Sequence, residues 1–225
     1  MHVGLIGGIG PAATEFYYRG LVRAFAAANR KLELTICNAE VRDMTRNMDT
    51  GDAKGQAAIF AELIGRLKAA GAKAVAVTSM GGHFCIEELK PISALPLINA
   101  IPELDSYFRT TGAKRIGLLG SRAVMRSKFY GGVKSVEIVA PPGAELDEVH
   151  TRYVAMATAA VATDEDRRFF LEAGQKLVKQ QGADVVVLSG TDLFLAFDGA
   201  KPDYKVADAA EIHIGAIVRA AMQDM

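Results

Sequence analysis

LKAAGAKAVAVTSMGG begins at Leu67, and VKQQGADVVVLSGTDL begins at Val178. Each stretch reads as a helix end, a stopping glycine (Gly71, Gly182), a short apolar strand and a polar turn. The likeness extends upstream. HVGLIG, His2 to Gly7, and RIGLLG, Arg115 to Gly120, are compact apolar runs of the kind that form buried parallel strands. Gly4 and Gly117 are 113 residues apart, as are Tyr17 and Tyr130, while Gly71 and Gly182 are 111 apart. One nearly constant shift across three features predicts a duplicated unit, far longer than a solenoid repeat.

The first copy fills in readily. Pro11 suits the first turn of a helix, Tyr17, Leu21 and Phe25 share one face of it, and Asn29 can end it. Leu32 to Cys37 is a second strand. Phe60, Leu63, Ile64 and Leu67 form a helical stripe closed by Gly71, and Ala74 to Thr78 is a third strand. In the second copy, Ser127 and Tyr130 are expected on the helix after RIGLLG. Val136 to Ala140 is a strand, Arg167 to Gln181 a helix with Phe170, Leu177 and Val178 inward, and Val185 to Leu188 the third strand. A last helix is expected over about 206–223, with His213, Ile217 and Ala221 on one face. This alternation predicts an α/β fold of two similar domains, each a parallel sheet flanked by helices, with an active-site cleft between them. Pro96 and Pro102 punctuate the linker region. Ligands of parallel sheets sit at the carboxyl ends of strands, where VTSMGGH and LSGTDLF both fall. Two such turns flanking one cleft suit chemistry that moves a proton from one face of a carbon to the other.

Composition narrows the partners. Lys plus Arg and Asp plus Glu are both 26, so no basic surplus points to nucleic acid or an anionic membrane. No apolar run has the length of a membrane span, and the start of the chain reads as a strand rather than a signal peptide. Two cysteines, Cys37 and Cys85, make no disulfide framework and no zinc spacing. A cytoplasmic protein that binds no metal is expected.

GLIGGIGPAATEFYY from Gly4, RIGLLGSRAVMRSKFY from Arg115, GADVVVLSGTDL from Gly182 and the placing of VTSMGGH resemble the aspartate/glutamate racemase family, cofactor-independent amino-acid racemases of two similar α/β domains. The resemblance implies a first domain of 1–99 plus 206–225, a second of 100–205, no cofactor, a small amino-acid or carboxylate substrate and a homodimer. The family's motifs are Cys-Asn-Thr-x-His and Gly-Cys-Thr-Glu, whose thiols act as paired acid and base. Here the first motif covers Ser79 to His83, with Ser79 at the cysteine position. The second covers Ser189 to Asp192, with Gly190 at the cysteine position, Thr191 retained and Asp192 in place of glutamate. A thiol ionises near pH 8.5, whereas a serine hydroxyl needs a neighbouring base and glycine has nothing to offer. The two-thiol transfer is therefore not available to this chain.

The candidate catalytic residues are His83, Ser79, Asp192 and Thr191. His83 reads as an acid/base or carboxylate-orienting group, or as a helix-start histidine satisfied by backbone. Ser79 and Thr78 read as carboxylate ligands or as caps. Asp192 reads as a base or as a helix-start carboxylate, and Thr191 fits either role. The candidate substrate-binding residues are Gly8, Asn38, Arg42, Arg46, Thr78, Ser121 and Gly190. Arg42 and Arg46 are placed on a loop after the second strand, as carboxylate clamps or as solvated side chains, and Arg19 has the same ambiguity. By resemblance, Ser121 lies where the family holds the substrate carboxylate. Cys85 reads as a relocated thiol or a structural one. Gly8, Gly10 and Ala13 also fit a dinucleotide-binding GxGxxA. Against that reading stand Pro11 in the turn and the 27 residues from Ala13 to Glu40, where about 20 are expected. The functional expectation is a pyridoxal-phosphate-independent isomerase of a small amino acid with a non-standard acid/base pair. The alternatives are a lyase or decarboxylase in the same cleft, or a silent carboxylate-binding protein.

Overall fold

The structure, a computed structural model, describes residues 1–223. Backbone contacts divide the chain into two units: Met1–Ala100 with the chain from His213 onward, and Ile101–Ile212.

In the first unit, β1 (Val3–Gly7) is buried at every position. It pairs in parallel with β2 (Leu34–Asn38) and β3 (Ala74–Val77), giving the order β2-β1-β3. Between β1 and β2 runs α1 (Pro11–Ala27), which opens on Pro11 and buries Tyr17, Leu21 and Phe25. Asn29 then takes a left-handed conformation at φ 52° and ends it. Between β2 and β3 lie α2 (Val41–Thr50) and α3 (Ala53–Ala69). The stripe Phe60, Leu63, Ile64 and Leu67 of α3 packs with Ile6, Val75 and Val77 in the core. Gly71, at φ 99°, turns the chain into β3. After β3 come a 3₁₀ turn (Gly81–Cys85) and the short α4 (Ile86–Leu89).

The second unit begins with α5 (Ala100–Thr111), apart from its first residue. Next come β4 (Arg115–Leu119), α6 (Arg122–Ser127), β5 (Glu137–Val139), α7 (Gly143–Ala159), α8 (Asp164–Gln181), β6 (Val185–Leu188), α9 (Phe194–Phe197) and β7 (Val206–Asp208). The sheet is fully parallel, in the order β5-β4-β6-β7. The boundary with the first unit falls within α10 (Ala209–Gln223), so residues 206–212 belong with the second unit.

The duplication is visible in the packing. A Cβ on Gly4 would meet Leu67 Cδ1 at 3.0 Å, and one on Gly117 would meet Leu177 Cβ at 2.9 Å. In each unit the central strand thus gives up a side chain so that the preceding-strand helix, α3 or α8, can lie against it. Both helices end alike: Ala72 N–H donates to Leu67 O at 3.0 Å, and Ala183 N–H to Leu177 O at 3.1 Å.

The copies diverge after their first strands. Where α1 has 17 residues, α6 has six. Lys128, Phe129 and Tyr130 then follow one another in left-handed backbone, at φ 52°, 56° and 57°. Tyr130 is therefore not on the helix where it was expected, and its pairing with Tyr17 does not hold in three dimensions. Left-handed conformation costs roughly 1–2 kcal/mol per non-glycine residue. Phe129 is fully buried, and burial of a phenylalanine stabilises by about 1.5–3 kcal/mol, which offsets much of that strain. The last helix also differs from expectation. VAD at Val206–Asp208 is a strand, and α10 starts only at Ala209, capped by Asp208, whose Oδ1 accepts from Ala210 N–H at 2.7 Å. His213, Ile217 and Ala221 are buried on its inner face. Among the described residues no helix is long and apolar enough to cross a membrane.

Candidate active site

Each unit ends its third strand in the same way. In the first, Thr78 N–H and Thr78 Oγ1 both donate to Ile6 O, at 3.0 and 3.1 Å. In the second, Ser189 N–H and Ser189 Oγ both donate to Leu119 O, each at 2.8 Å. A hydroxyl residue directly after the strand thus grips the end of the central strand and sets where the turn begins.

In the first turn, Ser79 is buried, and its Oγ accepts from Gly82 N–H at 3.2 Å. Accepting leaves the hydroxyl proton able to donate. His83 is 1% exposed. Ala100 N–H can only donate, so His83 Nε2 accepts from it at 3.3 Å, and Nδ1 carries the proton that goes to Ser79 O at 2.7 Å. His213 is arranged in the opposite sense. Its Nε2 donates to Ile98 O at 2.7 Å, and its Nδ1 accepts from the Tyr17 hydroxyl at 2.9 Å. The two rings meet edge-on with centroids 5.8 Å apart. Burial brings His83 down to about 4 and His213 to about 3, so both are neutral near pH 7. His83 and Ser79 are thus brought together, with both ring nitrogens of His83 engaged by backbone. Cys85 is fully buried, its Sγ donates to Gly82 O at 3.5 Å, and burial pushes the thiol up to about 12. A thiol so placed is a poor nucleophile or base at neutral pH.

The second turn brings together Gly190, Thr191 and Asp192, and adds a residue that the linear motifs did not point to. Thr191 and Asp192 are each 2% exposed. Tyr153, on α7 and only partly buried, donates its phenol to Asp192 Oδ2 at 3.3 Å. The Thr191 hydroxyl and the Asp192 N–H bond to the same phenol oxygen. A Cβ on Gly190 would lie 2.4 Å from Tyr153 Cε2 and 2.6 Å from Cζ, so the ring occupies the space of a side chain at position 190. The signal in the sequence was the spacing Leu146, Val149, Tyr153, Met156, an amphipathic stripe that makes α7 a helix and turns Tyr153 inward.

The remaining candidates are more dispersed. Gly8, at φ 85°, donates its N–H to Thr14 Oγ1 at 2.9 Å, and a Cβ there would meet Asn38 Oδ1. Gly8 and the exposed Asn38 therefore adjoin at the carboxyl edge of β1 and β2. Arg42 and Arg46 lie on α2 instead of a loop. Arg42 Nε pairs with Glu40 at 3.0 Å, Arg46 with Asp43 at 2.8 Å, and both are exposed. Arg19 is exposed on α1. Ser121 is buried and caps α6, accepting from Val124 N–H at 3.4 Å. Asp208 ends β7, and burial raises its carboxyl to about 7.

Known proteins share this architecture. The chain superposes on a candidate Asp/Glu racemase from Yersinia pestis with a TM-score of 0.84 at 22% identity, covering 99% of this chain and 100% of that one. An aspartate racemase homologue from Pyrococcus horikoshii gives 0.81 at 23% identity, with 99% of each chain covered. The aspartate racemase of Picrophilus torridus gives 0.75 at 16%, covering 98% of this chain and 94% of that one. At such identities the likeness is one of fold. The sequence itself matches the family model described as Asp/Glu/Hydantoin racemase over residues 6–217, which takes in both strand-end turns. With that match spanning both copies of the repeat, the chain belongs to the Asp/Glu/hydantoin racemase family.

Proposed function

We propose that the protein is an isomerase of a small amino acid or a related carboxylic acid, working without pyridoxal phosphate and without catalytic thiols. The observation that carries this reading is the pairing of an intact family scaffold with changed reactive groups. Both strand-end clamps are in place, while Ser79 and Gly190 stand where the family resemblance puts cysteines, and the Asp192 carboxylate with the Tyr153 phenol stands beside Gly190. An α-carbon proton is a very weak acid, so the base must be held close and largely dry, and developing charge must meet fixed donors. Asp192 is held in that manner and is the proposed base. Thr191 supports it, and the Ser79 hydroxyl is the proposed donor of the first unit. His83 serves by fixing the Ser79 turn, since its two nitrogens already bind backbone. Gly8, Asn38, Thr78, Ser121 and Gly190 stay in the reading as substrate contacts through backbone or short polar groups. Exposed and paired with their own neighbours, Arg42 and Arg46 fit it least. The free thiols of Cys37 and Cys85 accord with a cytoplasmic setting, and a homodimer is carried over from the family resemblance.

The test is wash-out of the α-proton in D2O, followed by proton NMR. The panel comprises both enantiomers of aspartate and glutamate, smaller amino acids, and the hydantoins that the family description names. The expected result is loss of the α-proton signal for at least one compound, with appearance of its enantiomer. If every compound keeps its α-proton, the isomerase reading is wrong.

A further inference from the structure

An exposed sheet edge offers a row of unpaired N–H and C=O groups to any other chain, and folded proteins shield such edges with short strands, charges, prolines or covering segments. The outer edge of β3 is covered: Val75 N–H donates to Pro96 O at 3.0 Å, and Ile98 N–H to Val75 O at 2.8 Å. In the second unit, β5 and β7 are three residues long. β5 opens on the ion-paired Glu137 and runs towards Pro141 and Pro142, while β7 follows Lys205 and ends on Asp208. β2 differs. Its five residues, LTICN, include no charge, proline or glycine, and no described strand pairs with its outer side. Val3 N–H donates to Glu33 O, and Ala39 N–H to Gly7 O. The odd-numbered residues of β2 therefore turn their backbone groups to β1, and Leu34, Ile36 and Asn38 turn theirs outward.

The flank of α1 above this edge is apolar. A Cβ on Gly7 would meet Thr14 Cγ2 at 2.5 Å and Ile36 Cγ2 at 3.3 Å, so Ile36 points to the α1 side of the sheet. α10 takes the opposite flank of α1, where a Cβ on Gly20 would meet Ile214 Cδ1 at 2.9 Å. The free flank carries Tyr18 and Val22, 50% and 40% exposed, beside Ile36 at 39%. Around them Glu15, Arg19 and Arg23 are exposed and have no ion-pair partner among the described residues. The charges that flank β2, Lys31 with Glu33 and Glu40 with Arg42, are paired locally. We propose that β2 and this flank of α1 form a homodimer interface, in which β2 pairs antiparallel with β2 of a second copy about a two-fold axis at Ile36.

The geometry favours a second copy over an unrelated strand. Neighbouring strands lie about 4.8 Å apart, so α1 and its symmetry mate come to lie about 10 Å apart, the spacing of packed helices. Leu5 is the residue beside Ile36, and the step from Gly7 back to Leu5 is about 6.6 Å, which a helix covers in about four residues. Counted from Thr14, which lies against Gly7, the axis passes at the level of Tyr18. With the helices antiparallel about Tyr18, Glu15 of one copy stands opposite the interval between Arg19 and Arg23 of the other, and the reverse holds by symmetry. Unpaired acid meets unpaired base, while Tyr18, Val22 and Ile36 leave water.

The test is sedimentation velocity on the full chain and its variants. The wild type is expected to be a dimer at about 10 μM, within the ordinary affinity range of such interfaces. Ile36→Lys puts like charges on the axis and should raise the dimer Kd at least about a hundredfold, with an unchanged far-UV circular dichroism spectrum. Glu15→Arg should raise Kd by about fivefold, and reversing all three charges, with Arg19→Glu and Arg23→Glu added, should bring it back. Ile36→Cys in a Cys37→Ser background should oxidise to a covalent dimer, because directly paired Cα atoms about 5.5 Å apart lie within disulfide range. A wild type that is monomeric at about 100 μM leaves the edge to some other chain and overturns the proposal. A dimer that survives Ile36→Lys, or an Ile36→Cys dimer that does not cross-link, meets through another face and overturns it as well. A triple reversal as weak as Glu15→Arg alone would overturn the antiparallel pairing. None of these outcomes depends on whether the protein is an isomerase.

Discussion

Position 190 shows how one missing side chain shapes its surroundings. Placing a thiol there by Gly190→Cys alone drives a Cβ and sulfur into the Tyr153 ring. Overpacking of this kind costs about 1–3 kcal/mol. Gly190→Cys combined with Tyr153→Ala clears the space. In a denaturation double-mutant cycle, the Gly190→Cys penalty should therefore shrink by at least 1 kcal/mol in the Tyr153→Ala background. Additive effects would show that the two positions do not compete for space. The sequence offered Ser79, His83, Thr191 and Asp192 as candidates because they fall inside short motifs next to strands. It left Tyr153 out because its bond to Asp192 joins residues 39 apart on separate elements, and because a glycine announces only that something is absent. His83 was legible as a candidate, while its hydrogen bonding was not. Its nitrogens are committed to Ser79 O and to Ala100 N–H, and the second of these partners is remote in sequence.

The third strands β3 and β6 were readable at the level of elements, since AVAV and VVVL are continuous apolar runs bounded by a glycine and a polar turn. β7 was not, because three residues with one aspartate have no period to detect, and the alanine-rich stretch after them extends a helical pattern backwards. α2 was read as a loop for a related reason: VRDMTRNMDT buries only Met44 and Asn47 and is otherwise polar. The truncated α6 is the clearest case of tertiary packing overriding local preference. Nothing in RSKFY encodes three left-handed residues, and it is the burial of Phe129 that selects them. Lys128 is exposed and ends α6 at φ 52°, ψ 59°, a position that favours glycine. Lys128→Gly should therefore stabilise the protein by about 1 kcal/mol, read as a higher denaturant midpoint with unchanged m-value. A lower midpoint would mean that the Lys128 side chain contributes more than its backbone strain costs.

For the whole molecule, buried titrating groups set how stability depends on pH. His83 and His213, at about 4 and about 3, stay neutral in the folded chain but take up protons near 6.5 when it unfolds. Their contribution is present above about pH 6.5 and is lost as pH falls towards 4. Asp208, raised to about 7, runs the other way. It keeps its proton when folded and gives it up near 3.8 when unfolded, so its contribution is present at low pH and is lost as pH rises towards 7. Two histidines outweigh one carboxyl, so unfolding free energy should fall on acidification from pH 6.5 to 4.5, by about 1 kcal/mol per pH unit. Asp208→Asn removes the opposing group and should roughly double that slope. A flat profile in the wild type, or no steepening in the variant, would contradict these assignments. The strand-end clamps also bear on how such a chain changes over time. Thr78 and Ser189 grip Ile6 O and Leu119 O from positions just ahead of the reactive residues, through atoms that take no part in the reaction proposed here. Each turn is thus a socket whose fit is decided before its contents begin. The side chain at 79 can be exchanged without re-teaching the backbone where to go, and the one at 190 can follow once the Tyr153 ring makes room, so within one lineage new chemistries can be tried on a framework that already folds.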